Sequence, residues 1–354
     1  MEFNRQILST SLPVYIIGAG GIVNDAHLPA YKMAGFNVQG IYDIDKTKAC
    51  DTAKKFNVPG IFDSLVDLVG NAPANAVFDI AVPAKELVTV LEQLPAHAHV
   101  LMQKPMGEDI ASARRILEIA RNKKMTAAVN FQLRYAPFIN HARKMIEDGL
   151  LGELNDIEIN VNVYTPWPLW KFLYTSARVE ILYHSIHYID LVRSFFGNPA
   201  SVYAKTTKHK LMSELASVRS NIIMDYGEYV RANILTNHCH DYGSEEQQSY
   251  IKFEGTKGAI KISLGLLKNY PAGGPDRFEY TVMENGSYTG WKTREVEGSW
   301  FPQAFIGSMQ QVMLAAEGII DQPDNSVEDS IYTMACVEAA YRSSEQGGVR
   351  VDEV

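Results

Sequence analysis

Val14-Tyr15-Ile16-Ile17-Gly18-Ala19-Gly20-Gly21-Ile22-Val23 is a short apolar run that breaks into glycines and is followed by a segment of helical period. Such a run predicts a buried strand, and the glycines predict a tight strand-to-helix turn. Glycine suits that turn because it tolerates unusual backbone angles and lets a pyrophosphate approach bare N–H groups at a helix N-terminus. Val23 stands where a GxGxxG pattern has its third glycine, so the motif alone is weak. Its surroundings strengthen it. Val38 to Asp43 reads as the next strand, and Asp43 ends it about 25 residues after Gly18, close to the spacing of an acid that hydrogen-bonds a ribose diol. A dinucleotide site is therefore expected, with Gly18, Gly20, Gly21 and Ile22 at the pyrophosphate and Asp43 at the ribose. A carboxylate at 43 repels a 2′-phosphate, and Ile44 supplies no arginine to hold one, so NAD is expected over NADP.

Outward from this turn, short apolar runs alternate with helical segments as far as Phe131, the pattern of βαβ units and a parallel sheet. Expected helices are Ala26 to Met33, Lys46 to Phe56, Glu86 to Leu94 and Ile110 to Asn122. Expected strands are Ala76 to Val82, His99 to Gln103 and Thr126 to Phe131. Doubly wound sheets hold ligands at the carboxyl ends of their strands, which adds Val82, Pro83, Lys104 and Asn130 to the cofactor-binding candidates. After Arg134 the pattern changes. Pro137 opens a helix ending at Gly149, and from Leu154 most segments alternate with period two and are separated by turns such as Glu254-Gly-Thr-Lys-Gly258. Expected strands there are Asp156 to Tyr164, Ser201 to Lys208, Ser220 to Asp225, Tyr229 to Asn237, Ser249 to Glu254, Ala259 to Ser263, Phe278 to Met283 and Thr293 to Val296. Two helices, about Phe301 to Ile320 and Val327 to Glu345, close the chain. The expected fold is α/β: an N-terminal Rossmann doubly wound parallel sheet over residues 1–132, then an α+β domain with a large, mostly antiparallel open sheet over 133–354.

With 354 residues, 46% of them hydrophobic, the chain can bury a substantial core. A net charge of −8 argues against a phosphate-tracking surface, so neither nucleic acid nor membrane is expected as a partner. Cys50, Cys239 and Cys336 are too scattered for a disulfide framework or a metal clip. Met1-Glu-Phe-Asn-Arg-Gln6 lacks the layout of a secretory signal, and no stretch approaches the roughly 20 apolar residues of a membrane span. A cytoplasmic location is expected.

Gln103-Lys104-Pro105 falls where the His99 strand should end. A lysine there can set its ammonium beside a substrate hydroxyl and favour the alkoxide as hydride leaves the carbon. In Glu180-Ile-Leu-Tyr183-His184-Ser-Ile-His187, a helical segment would bring Tyr183, His184 and His187 toward one face. His187 is the candidate base and Tyr183 or His184 would orient it or the substrate. His184 reads equally as a packed histidine. Arg134, Trp167, His184 and Trp300 are candidate substrate contacts, the tryptophans because sugar rings stack on aromatic faces. Subunit contact or core is the alternative for the tryptophans. His238-Cys239-His240 lacks a fourth ligand, so no metal is expected.

Several of these stretches together resemble the Gfo/Idh/MocA oxidoreductases, over nearly the whole length. They are Gly18-Ala-Gly20-Gly21 with His27-Leu-Pro29-Ala30, Gln103-Lys104-Pro105 in place of the family's Glu-Lys-Pro, and Asn130-Phe-Gln-Leu-Arg134-Tyr-Ala-Pro137. Gly149-Leu-Leu-Gly152-Glu153, His187-Tyr-Ile-Asp190-Leu191 and Glu254-Gly-Thr-Lys-Gly258 complete the set. The resemblance implies a nicotinamide-dependent oxidation or reduction, usually at a sugar or polyol carbon. It puts the Lys-Pro lysine, here Lys104, and His187 at the reacting centre, and implies a homodimer or homotetramer without a metal. Two positions depart from the pattern. Gln103 replaces the usual acid, which makes Lys104 easier to neutralise, and Tyr183 stands where the family often has Asp four residues before the histidine. Those departures leave two other readings of the same scaffold: an NAD-retaining glycosidase that oxidises transiently, and a non-catalytic dinucleotide or sugar sensor.

Overall fold

The computed structural model describes residues 11–351, so Met1 to Gln6 lie outside the described residues. Two compact units are present: the chain up to Ala136 together with Trp300–Met334, and Pro137–Ser299 together with the chain from Ala335.

The first unit carries six parallel strands, β1 (Pro13–Ile17), β2 (Asn37–Tyr42), β3 (Gly60–Ile61), β4 (Val77–Ile80), β5 (His99–Met102) and β6 (Thr126–Val129), in the order β3-β2-β1-β4-β5-β6. This is the doubly wound order, and its direction reverses between β1 and β4, the place where such sheets open a crevice. Helices α1 (Leu28–Ala34), α2 (Lys46–Phe56), α3 (Leu65–Asn71), α4 (Leu87–Gln93) and α5 (Ile110–Asn122) connect the strands. The expected ends of α2 and α5 are met because caps fix them. Asp45 accepts from the N–H groups of Thr47 and Lys48, and Asp109 and Ser112 form a capping box. Strand β3 and helix α3 were not expected. A two-residue strand has no period to detect, and α3 is signalled only by Ser64, whose hydroxyl accepts from Asp67 N–H. The helix expected from Ala26 is divided: Val23–His27 forms a π-helical turn, and α1 starts at Leu28 with Pro29 in its first turn, where a missing N–H costs nothing.

The second unit holds β7 (Leu154–Asn162), β8 (Ser201–Thr207), β9 (Arg219–Asp225), β10 (Arg231–Asn237), β11 (Gln248–Gly255), β12 (Gly258–Ser263), β13 (Arg277–Glu284), β14 (Ser287–Tyr288) and β15 (Lys292–Arg294). They form one nine-stranded sheet, β14-β13-β12-β11-β7-β10-β9-β8, with β15 on β13. Every pair is antiparallel except β7 with β10. Period-two patterning shows in β9, where Ser220, Ile222 and Met224 are buried and Asn221 and Ile223 are exposed. Helices α6 (Pro137–Glu147) and α7 (Ile186–Phe196) belong to this unit and are tied by Arg143, which donates to Ser194 and lies over the Phe195 ring.

Helices α8 (Ala304–Ala316) and α9 (Val327–Gln346) end the fold. One compact unit runs to Ala136 and takes in Trp300–Met334, while the other begins at Pro137. The reason is packing. Phe305, Met309, Val312 and Met313 of α8 are buried in the same cluster as Val14, Ile16 and Ala30, and an apolar stripe of that size must find a partner surface.

Candidate active site

The strand ends of the first unit are laced together. Gly18 N–H donates to Tyr42 O, Ala81 N–H to Ile17 O, Gln103 N–H to Ile80 O, and Asn130 N–H to Met102 O, all at 2.7–2.8 Å. These bonds bring the glycine turn, Val82 and Pro83 after β4, Gln103 and Lys104 after β5, and Asn130 after β6 to one edge of the sheet. At Gly18 φ is +109°, and a Cβ would lie 2.5 Å from Ala81 O, so no other residue fits. A Cβ built on Gly20 meets nothing within 4 Å, so the turn presents bare backbone. Asn24 braces it: its amide donates to Ala19 O and Gly20 O at 3.3 and 3.2 Å and to Thr52 Oγ1 at 2.9 Å. Val23, in the third-glycine position, is fully buried and fills core space.

Asp43 accepts from Ala19 N–H at 2.6 Å and from Asp45 N–H at 2.8 Å, which fixes its carboxylate against the glycine turn. Carboxylate oxygens carry further lone pairs for a diol. Ile44 is 94% exposed and brings no cation. Asn130 is buried and, among the described residues, its Oδ1 has no hydrogen-bond partner. The bare turn, the fixed carboxylate and the unsatisfied amide oxygen fit a dinucleotide along this edge.

Behind the edge lies a group that sequence patterning did not single out. Asp79, in the middle of β4, is fully buried and accepts from His27 Nδ1 at 2.7 Å and from the Tyr31 hydroxyl at 2.8 Å. His27 Nε2 lies 3.4 Å from Asn130 Nδ2. A proton on Nδ1 and a lone pair on Nε2 would satisfy both contacts. An acid inside an apolar strand run was the available signal, because buried charges are kept only with partners.

Lys104 is half-buried in a dense surrounding, and loss of solvation pulls its ammonium from an ordinary value of 10.5 down to about 8. Its backbone N–H donates to Gln103 Oε1 at 3.2 Å, so the amide that replaces the family's acid turns back onto the loop.

In the second unit, Ile181–Ser185 is a π-helical turn that runs into α7, a feature that concentrates at functional sites. Tyr183 and His184 sit in that turn and His187 in the first turn of α7. The Tyr183 ring packs edge-on against Phe172 at 5.4 Å, whereas the His184 ring meets Trp167, Trp170 and His238 at 4.9, 6.4 and 4.5 Å. His187 is buried, as is Asp190 one turn on.

Three expected substrate contacts are buried side chains in this structure. Trp167 is 1% exposed and packs in a cluster with Leu173, Val179, Leu215 and Val218, so it offers no open face to a sugar ring. Trp300 is 4% exposed. The Arg134 side chain is 7% exposed and donates to Asp324 O at 2.7 Å and Asp329 Oδ2 at 2.6 Å, tying its loop to the start of α9. Burial of this kind is what the core alternative expects of the tryptophans, whose large apolar area favours enclosure.

Comparison with known proteins agrees with this architecture. Residues 12–131 match the GFO_IDH_MocA model described as "Oxidoreductase family, NAD-binding Rossmann fold", and residues 143–352 match its "C-terminal alpha/beta domain". D-apiose dehydrogenase of Rhizobium rhizogenes is 23% identical over 352 residues, 96% of each chain. Putative oxidoreductase YceM of Salmonella typhimurium is 34% identical over 128 residues, 36% of this chain and 41% of that protein. An oxidoreductase from Agrobacterium radiobacter, solved with NAD+, L-tartaric acid and magnesium, shares the fold with a TM-score of 0.79 at 19% identity, covering 97% of this chain and 99% of that one. Both units therefore carry the marks of one lineage, and the chain belongs to the Gfo/Idh/MocA oxidoreductase family.

Proposed function

We propose that the protein is an NAD-dependent dehydrogenase that moves hydride between a CH–OH carbon of a sugar, polyol or sugar acid and nicotinamide. The observation that carries this reading is Lys104, a lysine at the ligand edge of the first sheet whose ammonium burial holds near 8. A cation so poised stabilises a developing alkoxide more strongly than one in bulk water. Gly18, Gly20, Gly21 and Ile22 would hold the pyrophosphate, Asp43 the ribose diol, and Val82, Pro83 and Asn130 the rest of the cofactor. NAD, when bound, supplies the hydride acceptor. His187 takes the hydroxyl proton, Lys104 steadies the oxygen left behind, and the carbon becomes a carbonyl as hydride departs, which balances one proton and one hydride against the C=O bond. The Asp43 carboxylate and the side chain of Ile44 favour NAD over NADP. The sugar in the name of the apiose dehydrogenase relative supports the substrate class, and the family likeness makes a homodimer or homotetramer part of the reading.

A panel of polyols, aldoses, sugar acids and nitrophenyl glycosides, assayed with NAD and with NADP, tests it. Growth of NADH absorbance with a member of the panel, at least about 10-fold more efficient than with NADP, is expected. Aglycone release without net NADH would replace this reading with the NAD-retaining glycosidase. NAD binding with no turnover of any panel member would replace it with the sensor.

A further inference from the structure

His27, Asp79 and Asn130 come from three elements of the first unit, and each side chain is fully buried. His27 closes the π-helical turn after the glycines, Asp79 lies within β4, and Asn130 follows β6. A carboxylate accepts hydrogen bonds and donates none, so His27 Nδ1, 2.7 Å from Asp79 Oδ2, is the donor of that pair. The Tyr31 hydroxyl donates to the same oxygen, and burial, then the Asp79 charge, raise its pKa well above the ordinary value, so it keeps the proton for that bond. The His27 ring also packs on Phe305, with centroids 5.0 Å apart. A lone pair on Nε2 would then accept from Asn130 Nδ2, 3.4 Å away. A planar amide that points Nδ2 at His27 turns Oδ1 away from it, and among the described residues that oxygen has no hydrogen-bond partner.

Removing a carboxylate and its partners from water is costly, and apolar side chains of equal volume would join these elements at least as well. A buried acceptor without a donor adds to that cost until a ligand supplies one. The place of Asn130 says which donor. Its backbone N–H bonds Met102 O at 2.8 Å, so it stands beside the end of β5, which leads to Lys104. In the strand order it lies on the opposite side of β1 from β2 and Asp43. A dinucleotide with its pyrophosphate on the β1 turn and one ribose at Asp43 lays its nicotinamide half over β4, β5 and β6. The N–H donor of that half is the carboxamide. We propose that Asp79 and His27 are positioning residues for Asn130, and that Asn130 presents Oδ1 to the carboxamide N–H and so fixes the nicotinamide ring beside Lys104. This inference rests on the reading of the edge as a dinucleotide site.

The test is calorimetric and needs no substrate. The full chain is titrated with NAD and with its acetylpyridine analogue, which keeps the carbonyl oxygen but carries a methyl group in place of the amide nitrogen. The ratio of the two dissociation constants reads the hydrogen bond. Asn130→Leu should lower the preference for NAD by about 5-fold or more. His27→Phe keeps a ring against Phe305 but leaves the Asn130 amide free to turn, and should lower the preference nearly as far. Asp79→Asn should lower it by less. The double variant of His27→Phe with Asn130→Leu should show the ratio of Asn130→Leu alone, because both changes remove one contact. Tyr31→Phe weakens the fold without touching the line from Asp79 to Asn130, so its ratio should stay within about 2-fold of the unsubstituted protein. This variant and Asp79→Asn cover the event that His27→Phe fails to fold. A purely structural role would weaken both dinucleotides together, and an unchanged ratio in His27→Phe and Asp79→Asn would overturn the positioning. A ratio unmoved by Asn130→Leu, with NAD still bound, would overturn the inference and leave the cofactor reading standing. Failure of the unsubstituted protein to bind either dinucleotide would overturn both.

Discussion

At the scale of single residues the account turns on Lys104. A lysine that loses its charge near 8 works as a cation only below that value. In the oxidative direction kcat/KM should therefore rise as the base histidine deprotonates and fall again through about 8 as Lys104 does. Lys104→Arg keeps the charge at every accessible pH, so the falling limb should vanish, at a lower maximum because a forked guanidinium does not fit a site built for an ammonium. A falling limb that persists near 8 in this variant would assign it to another group. The same shift has a consequence for stability. The folded state binds its lysine proton less tightly than the unfolded chain, so between about 8 and 10.5 the unfolded state carries more protons and stability rises with pH across that window. Urea midpoints measured at both ends of it should show this rise in the native protein and a smaller one in Lys104→Met.

At the scale of elements, the glycine turn and the strand behind it make separate predictions. Gly18→Ala forces a Cβ against Ala81 O at a left-handed φ. It should cost about 1–3 kcal/mol in denaturant titration and weaken NAD binding, because β1 and β4 must separate to admit the methyl group. Asp79→Ala leaves His27 and Tyr31 facing a buried void and should cost about 3 kcal/mol or more, whereas Tyr31→Phe removes one hydrogen bond and should cost about 1 kcal/mol. Equal costs would show that the three residues do not form a network centred on the carboxylate. These elements also show what patterning can and cannot convey. The Val14 to Val23 stretch declares strand, turn and helix in order, because apolar run, glycine and helical period each have a distinct local cause. Asp79 is silent about its partners, since they are two side chains about 50 positions earlier in the chain. The π-helical turns at Val23–His27 and Ile181–Ser185 are equally silent, because one inserted residue barely alters a helical period.

At the scale of the whole molecule, a parallel Rossmann sheet and a mostly antiparallel second sheet were legible because buried and half-buried strands have different alternation. The chain order of the units was not. Residues 300–334 return to the first unit, and a largely apolar helix such as α8 announces that it needs burial without saying against which surface. Likewise, an aromatic side chain in a loop looks the same in sequence whether it ends open or, like Trp167, closed inside a core. What the sequence could convey about chemistry was the residues at strand ends, since position along a strand fixes the edge it reaches. Lys104 stands at such an end, and the central claim is that its charge serves the chemical step and not cofactor binding. The decisive measurement is NADH formation by Lys104→Ala with the substrate that the panel identifies, alongside NAD affinity by calorimetry. The account predicts a fall in kcat of about 100-fold or more with the NAD dissociation constant unchanged within about 2-fold. Turnover equal to that of the unsubstituted protein, with the cofactor bound as before, would contradict it.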